Sequence, residues 1–342
     1  MTDIKSMNLE ELREYLKGMG EKPFRADQLY EWMHKKHVRS IDEMTNISKS
    51  LRNRISGDII FVEMVDRLIS KVDGTNKFLF KLNDGHVVES VFMPYEHGNS
   101  VCISSQVGCR MGCTFCASTI GGLTRNLEPS EMLEQIYAIE DITEERVSNI
   151  VVMGTGEPLD NFDNLLKFIE LISSKNGLGI SQRNITVSSC GIVPRIYELA
   201  YKKLQITFAI SLHAPNDEAR RKLMPVAKTY SIAELMAAAK YYFEATGRRI
   251  TFEYSLVAGE NDSEEYANEL SRLVKGMNCH INLIPVNPIK ERKYERATRD
   301  SVEKFKFILE KNRINVTIRR GMGRDIDAAC GQLRKKYMEA GK

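Results

Sequence analysis

Three cysteines fall within eight residues of this chain, in the run Cys109-Arg110-Met111-Gly112-Cys113-Thr114-Phe115-Cys116. Thiolates are soft ligands suited to zinc or to an iron–sulfur cluster. A structural zinc site needs four ligands, often as two CxxC pairs, and no matching CxxC or HxxxH follows later in the sequence. Three thiolates on a four-iron cluster would leave one iron open for a substrate or cofactor. Zinc stays the alternative on residue types alone.

A second chemistry-bearing stretch is Gly154-Thr155-Gly156-Glu157-Pro158, directly after a strand-like run. Glycines let a backbone approach a ligand closely, and a carboxylate can accept from an ammonium group. The same residues also suit a plain turn. Ser188, Ser211 with Leu212 and His213, and Asn287 each lie at or just beyond the end of a strand-like run. β/α folds place their active sites at that end, although a single Ser or Asn there is more often a cap. Cys330 lies beyond the last strand-like run, next to Gly331 and in a basic region. A buried free cysteine is commonly an inert small hydrophobe. Near positive charge its thiolate becomes a nucleophile. Glu89, within Val-Val-Glu-Ser-Val-Phe-Met, reads alone as a surface carboxylate.

The elements that must position these residues fall into three stretches. Residues 1–57 read as short helices. Asn8 and Glu11 form a capping pair, and Leu9, Leu12, Tyr15 and Leu16 share one stripe. Gly18 and Gly20 end that helix, and Pro23 opens a second whose apolar face is Phe24, Leu29, Trp32 and Met33. Lys35, Lys36, His37 and Arg39 follow it as basic surface. Residues 58–100 change to a period of two, and Asn83-Asp84-Gly85 is a hairpin turn, which predicts a small antiparallel unit. From residue 101 onward strands alternate with helices. The strands expected are 100–105, 149–153, 184–188, 205–211, 250–256, 281–285 and 315–320. Repeated β–α units imply a parallel sheet, either a full or partial β/α barrel or a doubly wound open sheet.

The chain has 342 residues, 42% of them hydrophobic and 28% charged. That is ample for a buried core and excludes wholesale disorder. No apolar run reaches the roughly 20 residues of a membrane span. Seven cysteines and an acidic, amphipathic N-terminus argue against a secreted disulfide scaffold and for a reducing cytosol. Net charge is +3 overall but uneven: +1 over residues 1–60, +8 over 289–342 and −6 between. A basic C-terminal segment fits either a polyanionic partner or a solvated surface.

The CxxxCxxC spacing with an aromatic before the last cysteine resembles the radical S-adenosylmethionine (AdoMet) superfamily. Across nearly the whole chain the resemblance is to the RlmN family of dual-specificity adenine-carbon-2 RNA methyltransferases. It rests on KPFRADQLYEWM, EMTNISKSLR, VVESVFMP, CISSQVGCRMGCTFCAS, VVMGTGEPLDN, SLHAPND, NLIPVNP and DIDAACGQL. Thr155 departs from the Met the family often has there.

The resemblance implies a partial (β/α)6 barrel of the radical AdoMet type over residues 101–342, with residues 1–57 as an RNA-binding accessory domain and 58–100 as a β extension. It implies a 4Fe-4S cluster on Cys109, Cys113 and Cys116. Gly156, Glu157, Ser188, Ser211, Leu212, His213 and Asn287 would contact AdoMet. Cys330 would carry the methyl group, Glu89 would accept a proton and Cys102 would resolve the protein–RNA adduct. Two AdoMet molecules are used per turnover. One methylates Cys330; the other yields a 5′-deoxyadenosyl radical that removes a hydrogen from the S-methyl group. The resulting methylene radical adds to the adenine ring. Loss of the ring proton and attack by Cys102 release the RNA and leave a Cys102–Cys330 disulfide. Either Glu89 or Cys102 would take that proton.

The expected targets are an adenosine in 23S rRNA near the peptidyl-transferase centre and the adenosine 3′ to the anticodon in some tRNAs. Such a base must be unstacked to be reached, with basic surface holding the backbone. The +8 segment and the patch near Lys35 are candidates for that contact. The implied setting is a cytoplasmic monomer, not bound to membrane, served by an electron donor such as flavodoxin or ferredoxin. Three alternatives are a Cfr-type carbon-8 methyltransferase, a radical AdoMet enzyme acting on a protein or small molecule, and a zinc-bound RNA-binding module. Pro158, NLIPVNP and the N-terminal signature favour the carbon-2 family over the first.

Overall fold

Asn8 opens the first helix as the spacing predicts: its Oδ1 accepts from Glu11 N at 2.9 Å, and Glu11 Oε2 accepts from Asn8 N at 2.7 Å. In the computed structural model, which describes residues 2–289 and 291–326, this helix is α1 (Leu9–Gly18). It is followed by α2 (Phe24–His34) and α3 (Lys49–Ile55). Leu12 and Leu16 of α1 and Ala26, Leu29, Tyr30 and Met33 of α2 are buried. Phe24 is not part of that face; it is exposed, with the Arg25 guanidinium 4.9 Å from its ring centroid.

Next come β1 (Glu63–Ile69), β2 (Asn76–Lys81) and β3 (Val87–Met93), an antiparallel meander. The turn between β2 and β3 falls at Asn83-Asp84-Gly85, where Gly85 takes φ +86°. The remaining elements are β4 (Asn99–Cys102), β5 (Gln106–Gly108), β6 (Leu123–Asn126), α4 (Pro129–Thr143), β7 (Val147–Val152), α5 (Phe162–Ile172), β8 (Ile185–Ser189) and α6 (Val193–Tyr201). After them come β9 (Thr207–Ser211), α7 (Asp217–Leu223), α8 (Ile232–Thr246), β10 (Ile250–Leu256), α9 (Glu264–Leu273), β11 (Cys279–Pro285), α10 (Arg299–Lys311) and β12 (Val316–Ile318).

Strands β4, β7, β8, β9, β10, β11 and β12 pair in that order, all parallel. Among the described residues the sheet is open, as a partial β/α barrel requires: its edges are β1 and β12. The antiparallel stretch continues the same sheet, because β3 pairs with β4 through Val91↔Cys102. One ten-stranded sheet therefore carries both stretches. The sequence run 100–105 is not a single strand. After Cys102 the chain leaves the sheet, and β5 pairs antiparallel with β6 in a separate ribbon.

The helices cover the sheet face made by Val101, Ile150, Val152, Ile185, Val187, Phe208, Ile210, Phe252, Tyr254, Ile281 and Leu283, all in one core cluster. Strand residues alternate faces, so the register leaves Cys102, Ser188, Ser211, Glu253, Ser255 and Asn282 on the other face. A parallel sheet buried on both faces reads as a nearly continuous apolar run. Here one face is small and polar, which leaves room for a cavity.

The N-terminal helices share the core cluster with the sheet and its helices. Their docking is polar as well. Lys5 Nζ, 1% exposed, donates to Glu134 Oε1 of α4 at 2.7 Å, and Arg39 Nη1 donates to Glu134 Oε2 at 2.8 Å. His37 stacks on Tyr137 at 4.4 Å between centroids. Arg39 and His37 therefore pin the two units together, and Lys35 and Lys36 remain as the exposed part of the expected basic patch. Among the described residues, no helix is long and apolar enough to cross a membrane.

Candidate active site

The cysteine loop hangs between β5 and β6. Its base is closed by Cys109 N donating to Gly122 O at 3.0 Å. At Gly108, with φ +81°, an added Cβ would lie 2.0 Å from Gly122 O, so only glycine fits. Thr114 N donates to Leu223 O at 2.9 Å, and the Thr114 hydroxyl meets Tyr294 OH at 2.8 Å. Phe115 sets its ring edge-on to His213 at 4.9 Å. Arg110 pairs with Asp160, which fixes the outer side of the loop.

These contacts turn Cys109, Cys113 and Cys116 toward one cavity of about 280 Å³. Gly156, Glu157, Ser188, Ser211, His213 and Asn287 line it too. Leu212 does not: its side chain is in the core and its N–H donates to Glu253 O at 3.0 Å. Burial pushes the Cys109 thiol up to about 12, and burial with the neighbouring cysteines raises Cys113 further. No three His, Cys, Asp or Glu side chains among the described residues close on a single metal-sized point. The three thiols instead share the wall of the cavity.

Glu157 is buried, and its carboxylate is already oriented. Oε1 accepts from Leu159 N at 3.0 Å and Oε2 from Cys190 N at 2.7 Å. Burial raises its pKa against the pull of these bonds. The Ser189 and Cys190 side chains bond to the carboxylate as well. The glycines of Gly154-Thr155-Gly156 are needed for close packing: a Cβ at Gly154 would lie 2.6 Å from Ile103 O, and one at Gly156 would lie 2.7 Å from Gln106 Cβ. His213, at φ 57°, accepts from Ser255 N through Nδ1 at 2.9 Å. Burial drives its pKa down to about 3, so the ring is neutral with its proton assigned to Nε2.

A second cavity of about 200 Å³ adjoins the first. Met153, Gly154, Ile284, Asn287 and Arg319 line both. Its wall includes Glu89 and Cys102, together with Arg320, Gly321 and Met322 from the chain beyond β12. That chain is tied to the β1–β2 turn: Asp325 accepts from Ser70 Oγ at 2.6 Å and Lys71 N at 2.9 Å, and Gly323 N donates to Asp73 at 2.9 Å. Cys330 lies outside the described residues.

Residues 2–60 match the family model for the ribosomal RNA large subunit methyltransferase N-terminal domain, and residues 103–270 match that for the radical SAM superfamily. A probable dual-specificity RNA methyltransferase RlmN from Lachnospira eligens is 66% identical over 99% of this chain and 97% of its own. One of the same description from Lachnoclostridium phytofermentans is 63% identical over 98% and 95%. The chain belongs to the RlmN family. In three dimensions it is similar to the crystal structure of a radical SAM methyltransferase from Sphaerobacter thermophilus, with a TM-score of 0.93 and 39% identity over 97% of this chain and 99% of that one.

As a member of the radical SAM superfamily, the chain is an enzyme that uses a 4Fe-4S cluster and AdoMet. The residues present fit both. The donor set offers three thiols, and the glycine cradle leaves backbone bare beside them. Arg220 is fully buried. It donates to Cys190 O at 2.7 Å, Leu212 O at 3.1 Å and Ser211 O at 3.2 Å, while its Nη1 has no partner among the described residues. An unmatched buried cation beside Cys113 suits an anionic cluster.

Sequence reasoning passed over Arg220, Glu253, Asn282 and Arg319. Glu253 lines the first cavity, is 5% exposed and accepts from Asn282 Nδ2 at 2.9 Å. Its signal was available: in Ile-Thr-Phe-Glu-Tyr-Ser-Leu it shares the polar period-two face with Thr251 and Ser255. Arg220 and Arg319 gave no comparable sign: Arg220 reaches back to Cys190 O just beyond β8, and Arg319 meets the cavity only once β12 pairs with β11.

Proposed function

We propose that this enzyme methylates carbon 2 of an adenosine in 23S rRNA and of the adenosine 3′ to the anticodon in some tRNAs, in the cytoplasm. Cys330 carries the methyl group, Cys102 resolves the protein–RNA adduct, and Glu89 or Cys102 takes the ring proton. The observation that carries this reading is the pair of adjoining cavities. One gathers the three cysteines and Glu157; the other holds Cys102 and Glu89; the two share a wall. A methyl relay needs such an arrangement, with one chamber for the methyl and radical source and a neighbouring one for the receiving base.

When bound, the cluster and AdoMet supply a transferable methyl group and one-electron hydrogen abstraction. The chain's own residues do the rest. Cys109, Cys113 and Cys116 hold the cluster. Glu157, already fixed by Leu159 N and Cys190 N, accepts from the methionine ammonium. Ser188 and Ser211, with hydroxyls 3.4 Å apart, and Asn287 offer polar contacts along the cavity. The target base enters the second cavity unstacked from its neighbours. There Arg296, Arg319 and Arg320 add positive charge to the wall, which suits the flanking phosphates.

The test is anaerobic methylation of a 23S rRNA fragment with isotopically labelled AdoMet under reducing conditions, followed by digestion and mass spectrometry. Labelled 2-methyladenosine is expected. Labelled 8-methyladenosine alone, or no label in RNA from a brown, iron-loaded enzyme, overturns the reading.

A further inference from the structure

Lys77 is fully buried, at 0% exposure, and its Nζ lies 3.2 Å from Glu89 Oε2; Glu89 itself is 2% exposed. The register explains the meeting. Lys77 pairs with Val91 and Leu79 with Glu89 across β2 and β3, so Lys77 and Glu89 are diagonal neighbours on one face. Val91 in turn pairs with Cys102 of β4. Lys77, Glu89, Val91 and Cys102 therefore share a face. Glu89 and Cys102 reach the wall of the second cavity, with Lys77 behind them.

The same face of the meander continues into a small apolar cluster of Leu79 and Val87, backed by Val65 and Leu68. Replacing a buried ion pair by well-packed apolar residues is often neutral or stabilising, whereas removing one partner is strongly destabilising. A Lys–Glu pair in this position is a costly way to hold two strands together. It makes sense if the carboxylate is needed at the cavity wall.

We infer that Lys77 is a positioning residue for the methyl-transfer reaction: its ammonium holds the Glu89 side chain at the cavity wall, where it receives the ring proton. The inference rests on the proposed role of Glu89. In the step concerned, the ring C–H bond breaks, the proton passes to a Glu89 oxygen, and the electron pair of that bond stays with the ring. Glu89 becomes a neutral acid, and nothing is oxidised or reduced in that transfer. Cys102 keeps the other role proposed for it, the attack that releases the RNA; burial pushes its thiol up, while Arg319, the Met153 backbone and Lys77 pull it down.

The experiment compares the reconstituted full-length enzyme with Lys77→Met, Glu89→Gln and the Lys77→Met/Glu89→Met double variant. Three quantities are read: iron content, 5′-deoxyadenosine formed in one turnover, and the ratio of released methylated RNA to RNA covalently bound to protein. Loss of a positioned general base costs about 100- to 10,000-fold. Lys77→Met is expected to keep its iron and its 5′-deoxyadenosine yield within about twofold, while product release falls by at least about 100-fold and adduct accumulates as in Glu89→Gln. The double variant is expected to melt no lower than Lys77→Met and to be no worse in release than Glu89→Gln. Normal release by Lys77→Met beside an adduct-trapped Glu89→Gln overturns the role of Lys77 alone. Normal release by Glu89→Gln overturns the underlying role of Glu89. A Lys77→Met enzyme that loses iron and AdoMet cleavage without accumulating adduct shows a merely structural lysine, and also overturns the proposal. If Lys77→Met does not fold, Lys77→Gln, which keeps a donor without the charge, is read against the same outcomes.

Discussion

Gly156→Ala tests whether the glycine cradle sets the position of Glu157. Gly156 has φ +116°, which L side chains rarely adopt. An added Cβ would meet Gln106 Cβ at 2.7 Å, Gln106 N at 2.8 Å and Ser105 Oγ at 2.8 Å, about 0.7 Å short of an ordinary 3.4 Å contact. The neighbour cannot simply retreat. Gln106 N donates to Thr155 O at 3.1 Å, and Gln106 Oε1 accepts from Glu157 N at 2.8 Å. Backbone strain of about 1–3 kcal/mol adds to crowding of about 1–3 kcal/mol, about 2–6 kcal/mol together. The cheapest relief is to lift the loop, which carries Glu157 with it. A displacement of about 1 Å at a positioning group can cost about 100-fold. Equilibrium dialysis of the anaerobic, iron-loaded enzyme should show AdoMet binding weakened by about 10- to 100-fold, with iron content unchanged. Gly85→Ala is the control: it shares a positive φ, at +86°, but has nothing within 4 Å of the added Cβ. It should lower stability by about 1 kcal/mol and leave AdoMet binding intact. Equal AdoMet affinities in the two variants would refute the argument.

Glu134→Leu removes the partner of the buried Lys5 ammonium and of Arg39, so unfolding measurements should show about 3–5 kcal/mol lost; a loss below about 1 kcal/mol would mean the docking is carried by apolar contact alone. His34 is buried and its pKa is pushed down to about 3, so below about 6.5 the unfolded chain takes up a proton that the folded one refuses. Stability should then fall as pH drops from about 6.5 toward 3, by up to about 1.4 kcal/mol per unit, and His34→Gln should flatten that slope; an unchanged slope would refute it. Arg220→Met deprives the carbonyls of Cys190, Ser211 and Leu212 of a charged donor; anaerobic reconstitution should give lower iron content and a melting point several degrees down, and full iron loading would count against its place beside the cluster. Cys102→Ala should leave 5′-deoxyadenosine formation intact while RNA accumulates covalently on the protein, seen as a shifted band on a denaturing gel; normal turnover would remove Cys102 from the resolving role.

The sequence alone determined what local spacing can encode. The thiol triad, the Gly-Thr-Gly-Glu turn, the Asn8–Glu11 cap, the Asn83-Asp84-Gly85 hairpin and the alternation of strands and helices after residue 100 all depend on residues within a turn or two of each other. Tertiary structure decided the rest, because the remaining partners meet only when distant elements pack. The basic run after α2 looks like free surface in the sequence, yet Arg39 and His37 are consumed by α4, some 95 and 100 residues away. Glu89 reads as a surface carboxylate until pairing of β2 with β3 seats it on Lys77, and pairing of β3 with β4 brings it to the face that holds Cys102. Leu212 belongs to a cavity motif by position but to the core by packing. One residue's shift in a strand register would exchange these faces, and that register is set by long-range apolar burial, which no short window of sequence contains.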